Sequence, residues 1–310
     1  MKILVTGGGG FLGSILIEKL KHDHHIICLD HGRNYRLLDK YFGKKVTLVK
    51  GDASNKKLLK SQIKDTDIII HLAGVAGERR CLINPLKSNI SNIYSTYAIA
   101  DIAKDYNIKK IILSSSYWVY STYIKRKMPL TEESKLNTDS IYGSQKVLSE
   151  MIIKDSKVPY IIFRISNLYG YGTGVGSQWE GTVTKFIRSA FSGQPLTVYG
   201  DGKQKTDLIY VDDVAEAIKR ILSLKVQNEV FNIGSGQPVS ILDIANIIKK
   251  NFKQNYKTNV NFRKVKAPPG KIWPNKWMSV KKVRRLIIDY PFLGLEEGIY
   301  RSIKDFAPHF

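Results

Sequence analysis

The chain has 310 residues, 43% of them hydrophobic, and a formal net charge of +22. It is long enough to bury a full core, as one large domain or a domain plus a lobe, and no apolar run of about eighteen residues is present to cross a membrane. Two cysteines, Cys28 and Cys81, exclude a disulfide framework or a zinc spacing. Met1 leads straight into a strand-like run with no room for a leader, so the expected compartment is the cytoplasm.

The first predicted element is a buried strand, Lys2-Ile3-Leu4-Val5, short, apolar and β-branched. Four glycines follow, Gly7 to Gly10, and then Phe11 to Leu20 repeats apolar residues at helical spacing with Gly13 inside. Glycines on a strand-to-helix turn let a pyrophosphate approach backbone N–H groups and a helix N-terminus. Two registers fit: Gly8, Gly10 and Gly13 as G-x-G-x-x-G, or Gly7, Gly10 and Gly13 as G-x-x-G-x-x-G. The next strand, His25 to Leu29, runs into Asp30, whose carboxylate suits a ribose diol and repels a 2′-phosphate. That favours NAD over NADP, with Arg33 close behind as the opposing signal. His22, His24, His25 and His31 sit around the same turn; a solvated turn explains them, and no metal is expected.

Further strand-like runs, Val46 to Val49, Ile68 to Leu72, Lys110 to Leu113 and Tyr160 to Phe163, alternate with helical segments. Alternation of this kind predicts an α/β, Rossmann-type doubly wound parallel sheet with helices on both faces and right-handed crossovers. Ligands then bind beyond the carboxyl ends of the strands. After about Ile165 the alternation stops. The expectation is a dinucleotide-binding domain over residues 1–165 and a smaller C-terminal lobe over 166–310, with about 208–236 returning to the first domain.

Two stretches carry chemistry. Tyr142 and Lys146 in Tyr142-Gly143-Ser144-Gln145-Lys146 lie one helical turn apart on one face. A neighbouring ammonium favours the phenolate, so the Tyr142 pKa is expected to fall toward neutrality. Such a tyrosine takes a proton from a hydroxyl while a nicotinamide accepts hydride from the same carbon. Earlier, Ser114-Ser115-Ser116 ends a predicted central strand, where a hydroxyl reaches the substrate oxygen and the tyrosine. The catalytic candidates are Ser116, Tyr142 and Lys146.

The second half is basic. From Lys249 to Arg285 there are thirteen Lys or Arg and no Asp or Glu. A solvated face accounts for this, as does a phosphate-bearing substrate; no nucleic-acid motif is present, so nucleic acid is not an expected partner. Trp118, Trp179, Trp273 and Trp277 are candidates for stacking or for core packing.

Read in order, TGGGGFLG (6–13), GDAS (51–54), HLAGVAG (71–77), SSSYWVY (114–120), YGSQK (142–146), RISNLYGYG (164–172), GDGKQKTDLIYVDDVA (200–215) and FNIGSG (231–236) span nearly the whole chain. The sequence resembles the extended short-chain dehydrogenase/reductase family, the NAD-dependent nucleotide-sugar epimerases and dehydratases. The resemblance implies the register Gly7, Gly10, Gly13 and cofactor contacts from Gly7, Gly10, Phe11, Leu12 and Asp30. It implies Asp52 and Ala53 near the adenine, and Leu72, Ala73, Gly74, Ser114, Tyr142 and Lys146 along the rest of the cofactor. Ser116, Tyr142 and Asn167 are implied substrate contacts, as are a homodimer and a substrate-binding C-terminal lobe. Asp212-Asp213 is implied to cap a helix.

Departures from the family pattern narrow the function. Dehydratases place an Asp-Glu pair after the catalytic hydroxyl residue; here Tyr117 and Trp118 follow Ser116, and neither is an acid/base pair at neutral pH. A substrate-phosphate arginine is replaced by Thr206, and an R-P-G-D motif by Pro268-Pro269-Gly270-Lys271. Lysines are not bidentate forks, but Lys203, Lys205, Lys271 and Lys276 are candidate point charges, with Lys205 and Lys271 the leading substrate contacts. The expected function is an NAD-dependent epimerase of a nucleotide-activated sugar, acting by transient oxidation at C4. The alternatives are a sugar ketoreductase or dehydrogenase of the same family, and an NAD-sensing or RNA-binding protein on the same scaffold.

Overall fold

A computed structural model describes residues 1–31, 45–120, 127–171, 181–267 and 274–310. In chain order, β1 (Lys2–Thr6), α1 (Phe11–Leu20), β2 (His25–Asp30), β3 (Val46–Lys50), α2 (Lys56–Ile63) and β4 (Ile68–His71) alternate. Three helices follow, α3 (Glu78–Ile83), α4 (Pro85–Asn89) and α5 (Ser95–Asp105), then β5 (Lys110–Ser116), α6 (Ile141–Asp155) and β6 (Tyr160–Ile165). The second half holds β7 (Asn167–Tyr169), α7 (Thr182–Phe191), β8 (Leu196–Tyr199), β9 (Lys205–Tyr210), α8 (Val211–Leu222), β10 (Glu229–Ile233), β11 (Pro238–Ser240), α9 (Ile241–Tyr256), β12 (Phe262–Val265), α10 (Lys281–Arg284) and α11 (Leu295–Phe306).

Seven parallel strands form one sheet in the order β10-β6-β5-β4-β1-β2-β3. Side chains alternate across a strand, and the two faces bury different halves of the same run. Ile3 and Val5 of β1 pack with α1 and α8, while Leu4 packs with α2, α5 and α6. That is why the central strands read as continuous apolar runs. The edge strand β3 is only half buried.

A smaller unit surrounds a separate cluster of Phe186, Ile187, Ile248, Phe252, Ile303 and Phe306, drawn from α7, α9 and α11. It contains a three-stranded sheet, β11-β9-β7, and the parallel pair β12-β8. Within residues 208–236, α8 packs on α1 and β10 pairs with β6, whereas β9 runs in the small sheet. No helix among the described residues is long and apolar enough to cross a membrane.

Candidate active site

The site stands at the carboxyl ends of β1, β4 and β5. Gly7 turns the chain out of β1 with φ +72°, a backbone that side chains disfavour. A Cβ there would also lie 2.6 Å from the Ala73 amide nitrogen. At Gly13 a Cβ would stand 2.3 Å from the Gly7 carbonyl oxygen. These two glycines therefore close the turn against the protein itself. Helix α1 then starts at Gly10 with no side-chain cap and no acidic residue in its first turn. Its leading N–H groups have no intrahelical acceptor, and the helix dipole adds positive potential.

Asp30 ends β2 and accepts a 3.0 Å hydrogen bond from the Gly9 N–H, which fixes its carboxylate beside the turn. Arg33, the candidate for the opposite preference, lies outside the described residues. Asp52 accepts from the Ser54 N–H at 2.8 Å, with buried Ala53 between them, and its other oxygen lies 3.6 Å from His31 Nε2. Leu72 follows β4 directly, and the Ala73 N–H donates to Thr6 Oγ1 at 3.4 Å. An uncapped helix start, a carboxylate set at the end of β2 and a glycine floor together fit a dinucleotide.

Ser116 ends β5, and its hydroxyl accepts the Trp118 N–H at 3.3 Å, capping a single helical turn over Tyr117–Val119. It also stands close enough to the Tyr142 phenol to favour the phenolate. Tyr142 stands in the first turn of α6, whose N-cap is Ser140. The Glu78 carboxylate accepts the Ile141 and Tyr142 N–H groups at 3.1 and 2.9 Å, so a negative charge from α3 seats the start of this helix. One turn on, Lys146 donates to the Ser114 carbonyl at 2.8 Å, with its ammonium 5.9 Å from the Tyr142 ring centre. Ser114 Oγ in turn donates to the His71 carbonyl.

This geometry corrects the expected phenol. Burial pushes the Tyr142 pKa up, outweighing the opposing effect of the nearby Ser116 hydroxyl. Burial also brings Lys146 down to about 8, against the opposing pull of Cys81 and Glu150. The ammonium faces a carbonyl rather than the phenol oxygen, and desolvation disfavours both charged forms. Beneath them His71 is wholly buried, with Nδ1 2.6 Å from Thr6 Oγ1 and Nε2 3.1 Å from Thr96 Oγ1. Burial, with the Lys146 charge, lowers it to about 3, so the imidazole is neutral.

Sequence reasoning missed Asn92. It lies in a π-helical turn, Ile90–Tyr94, a distortion frequent at functional sites. Its Oδ1 accepts the Val75 N–H at 2.7 Å, and its Nδ2 donates to the Val75 carbonyl and Gln145 Oε1 at 3.0 and 2.6 Å. It thereby ties the loop after β4, including Gly74, to the helix bearing Tyr142. The spacing of a π turn has no signature in the apolar pattern.

On the lobe side, Asn167 Nδ2 donates to Thr206 Oγ1 at 2.7 Å, and the buried Tyr117 phenol lies beside both. Burial pushes the Tyr117 phenol up to about 12. Lys205 is exposed on β9; Lys271 lies outside the described residues, as do Pro268, Pro269, Gly270, Trp179 and Trp273. Lys276 does not present its charge outward. It is 5% exposed, donates to the Tyr120 carbonyl at 2.6 Å, and places its ammonium 4.6 Å from the Tyr117 ring centre. Asp213 is not a cap: it lies inside the first turn of α8 and accepts from the Tyr290 hydroxyl and the Leu293 N–H. No group of three His, Cys, Asp or Glu among the described residues is placed to hold a metal ion.

Residues 3–234 match the NAD dependent epimerase/dehydratase family. The chain belongs to that family. It is an enzyme of this family, and its cofactor is NAD. It is 30% identical over 311 residues to a putative UDP-glucose 4-epimerase of Methanocaldococcus jannaschii, covering 97% of each chain. Its fold matches a UDP-N-acetylglucosamine 4-epimerase from Methanobrevibacter ruminantium, solved with UDP-N-acetylmuramic acid, at TM-score 0.89 and 26% identity, over 100% of this chain and 99% of that one. It matches a UDP-glucuronic acid 4-epimerase from Bacillus cereus, solved with UDP-glucuronic acid and NAD, at TM-score 0.87 and 25% identity over the full length of both.

Proposed function

We propose that the chain is an epimerase of a nucleotide-activated sugar that works by transient oxidation at C4. The observation that carries the reading is the junction of Ser116, Tyr142 and Lys146 beside an uncapped helix start. The 4-epimerase names of the relatives support it. NAD, when bound, supplies a hydride acceptor and a positive charge, and gives the hydride back.

The protein's part is proton handling and orientation. Tyr142 takes the proton of the sugar hydroxyl and later returns it. Ser116 hydrogen-bonds the same oxygen and the phenol. Lys146, one turn along the helix, supplies positive charge and lowers the cost of the phenolate. No carboxylate follows Ser116 in the sequence; Tyr117 and Trp118 stand there, with Trp118 edge-on to Tyr142 at 6.3 Å. That favours epimerisation over loss of water. Asn167 and exposed Lys205 are the described residues we assign to the substrate diphosphate, with Lys271 from the sequence.

The active unit in this reading is a homodimer. Leu82, Ile83, Leu86, Ile90, Tyr94 and Met151 are large apolar residues exposed along α3 to α6. A shallow groove of about 400 Å³ lined by Ile90, Ile93, Tyr94, Tyr97 and Ile152 runs through this face. A contiguous apolar surface of this kind suits a second copy packing helix against helix. The test of function is incubation with UDP-glucose, UDP-N-acetylglucosamine and UDP-glucuronic acid without reductant. A product of unchanged mass and inverted C4 supports the reading; a net requirement for NADH overturns it.

A further inference from the structure

Helix α6 carries more than Tyr142 and Lys146 on its inner face. Glu150 stands one further turn along, 1% exposed. The three side chains meet the last three residues of β5 one for one. Tyr142 faces the Ser116 hydroxyl, Lys146 bonds the Ser114 carbonyl at 2.8 Å, and Glu150 Oε1 accepts the Ser115 hydroxyl at 2.5 Å. Of these rungs, Glu150 alone is clamped from a second strand. Arg164 of β6 donates to it through Nε at 3.0 Å and Nη2 at 2.7 Å, a bidentate pair. Arg164 Nη1 continues to the Tyr120 hydroxyl at 2.9 Å and the Glu132 carbonyl at 3.0 Å. The Tyr120 hydroxyl donates to Asn232 of β10, and the Tyr120 carbonyl receives Lys276.

A buried ion pair is a weak source of stability, because desolvation offsets much of the attraction. Apolar residues of similar volume would pack this helix as well. What an apolar pair lacks is direction: the fork fixes both the depth and the roll of α6 against β5. We infer that Glu150 and Arg164 are positioning residues for the reaction, setting α6 where Tyr142 reaches Ser116 and Lys146 reaches Ser114. The inference rests on the reading of Tyr142 and Lys146 as the reacting pair.

The test replaces both partners, Glu150→Leu with Arg164→Met, leaving no unpaired charge. The melting temperature should stay close to wild type. Turnover of the nucleotide sugars should fall by about a hundredfold, the scale of an ångström's misplacement, with KM nearly unchanged. The second readout needs no turnover: the Lys146 titration, followed by carbon-13 lysine NMR and assigned with Lys146→Met. The groups facing this ammonium are Tyr142, Cys81, His71 and Glu150, of which Cys81 and Glu150 hold its pKa up; Glu150 itself faces Arg164 and, at 3.9 Å, Lys154. The midpoint should drop in the double variant. Wild-type turnover together with an unmoved midpoint would overturn the inference. If the double variant does not fold, Glu150→Asp carries the turnover arm: it keeps the charge and loses the reach, so turnover should fall with KM nearly unchanged and the Lys146 midpoint near wild type, and wild-type turnover would overturn the inference. If wild type turns over none of the sugars, the functional reading fails while the lysine titration still decides this one.

Discussion

Lys146 donates to the Ser114 carbonyl at 2.8 Å, so the cation of the Tyr142/Lys146 pair is anchored on strand β5 rather than on the phenol. Burial raises one partner and lowers the other. The dry pocket holds a neutral phenol, and the phenolate exists only when positive charge gathers beside it. Tyr142→Phe removes the group that moves the proton. Turnover should fall by about 10²- to 10⁴-fold, while NAD affinity, read by calorimetry, stays within a few-fold. Comparable loss of both would mean that Tyr142 supports binding rather than proton transfer.

The lowered Lys146 value has its own consequence. With a folded pKa of about 8 against an ordinary 10.5, the unfolded chain binds the extra proton between those limits. Stability therefore rises with pH across that window, and the cost of the buried ammonium is fully present below it. Activity moves the other way: kcat/KM should decline above about pH 8 as the cation is lost. A flat profile from pH 7 to 10 would contradict this role for Lys146.

His71 sets an acid limit. Its folded value of about 3 lies below the ordinary 6.5, so the unfolded chain takes up a proton that the fold refuses. Stability from this group is complete above pH 6.5 and is lost as pH falls toward 3, by about 5 kcal/mol in all. Denaturant titrations should show a steeper acid loss for wild type than for His71→Gln.

The glycine turn separates two kinds of failure. Gly13→Ala drives a methyl into the Gly7 carbonyl and the Gly8 backbone, and should cost about 1–3 kcal/mol of stability together with most NAD affinity. At Gly10 the added carbon meets only the Gly7 carbonyl oxygen, at 3.0 Å. Gly10→Ala should keep the melting temperature nearer to wild type while weakening NAD, as calorimetry would show.

The apolar face of α3 to α6 predicts its own variant. Met151 is 59% exposed and Ile90 42%, so a glutamate at either costs little in a monomer and much in a buried interface. Sedimentation should show a dimer for wild type and monomers for Met151→Glu with Ile90→Glu. A wild-type monomer would overturn the dimer.

Much of the architecture was legible because buried parallel strands leave nothing polar inside the run. Ile68 to His71 and Lys110 to Leu113 announce themselves, and the strand-turn-helix around Gly7 to Gly13 follows from glycine spacing. Ser116, Tyr142 and Lys146 meet because strand ends and a helical i, i+4 pair point to one edge. Burial is what a sequence does not display. It reverses the expected shift of Tyr142 and turns Lys276 inward onto the Tyr120 carbonyl. Long-range partners were equally hidden. Glu78 caps a helix that starts at Ile141, and Asp213 holds Tyr290 and Leu293, contacts that local capping rules do not foresee.

The most direct test of the central claim uses UDP-sugars carrying deuterium at C4, incubated with catalytic NAD, and follows product mass and proton NMR. Transient oxidation with hydride return predicts inversion at C4, with the deuterium kept on that carbon and the mass unchanged. Loss of the label to solvent, loss of water or carbon dioxide from the product, or turnover limited to the NAD supplied would contradict it.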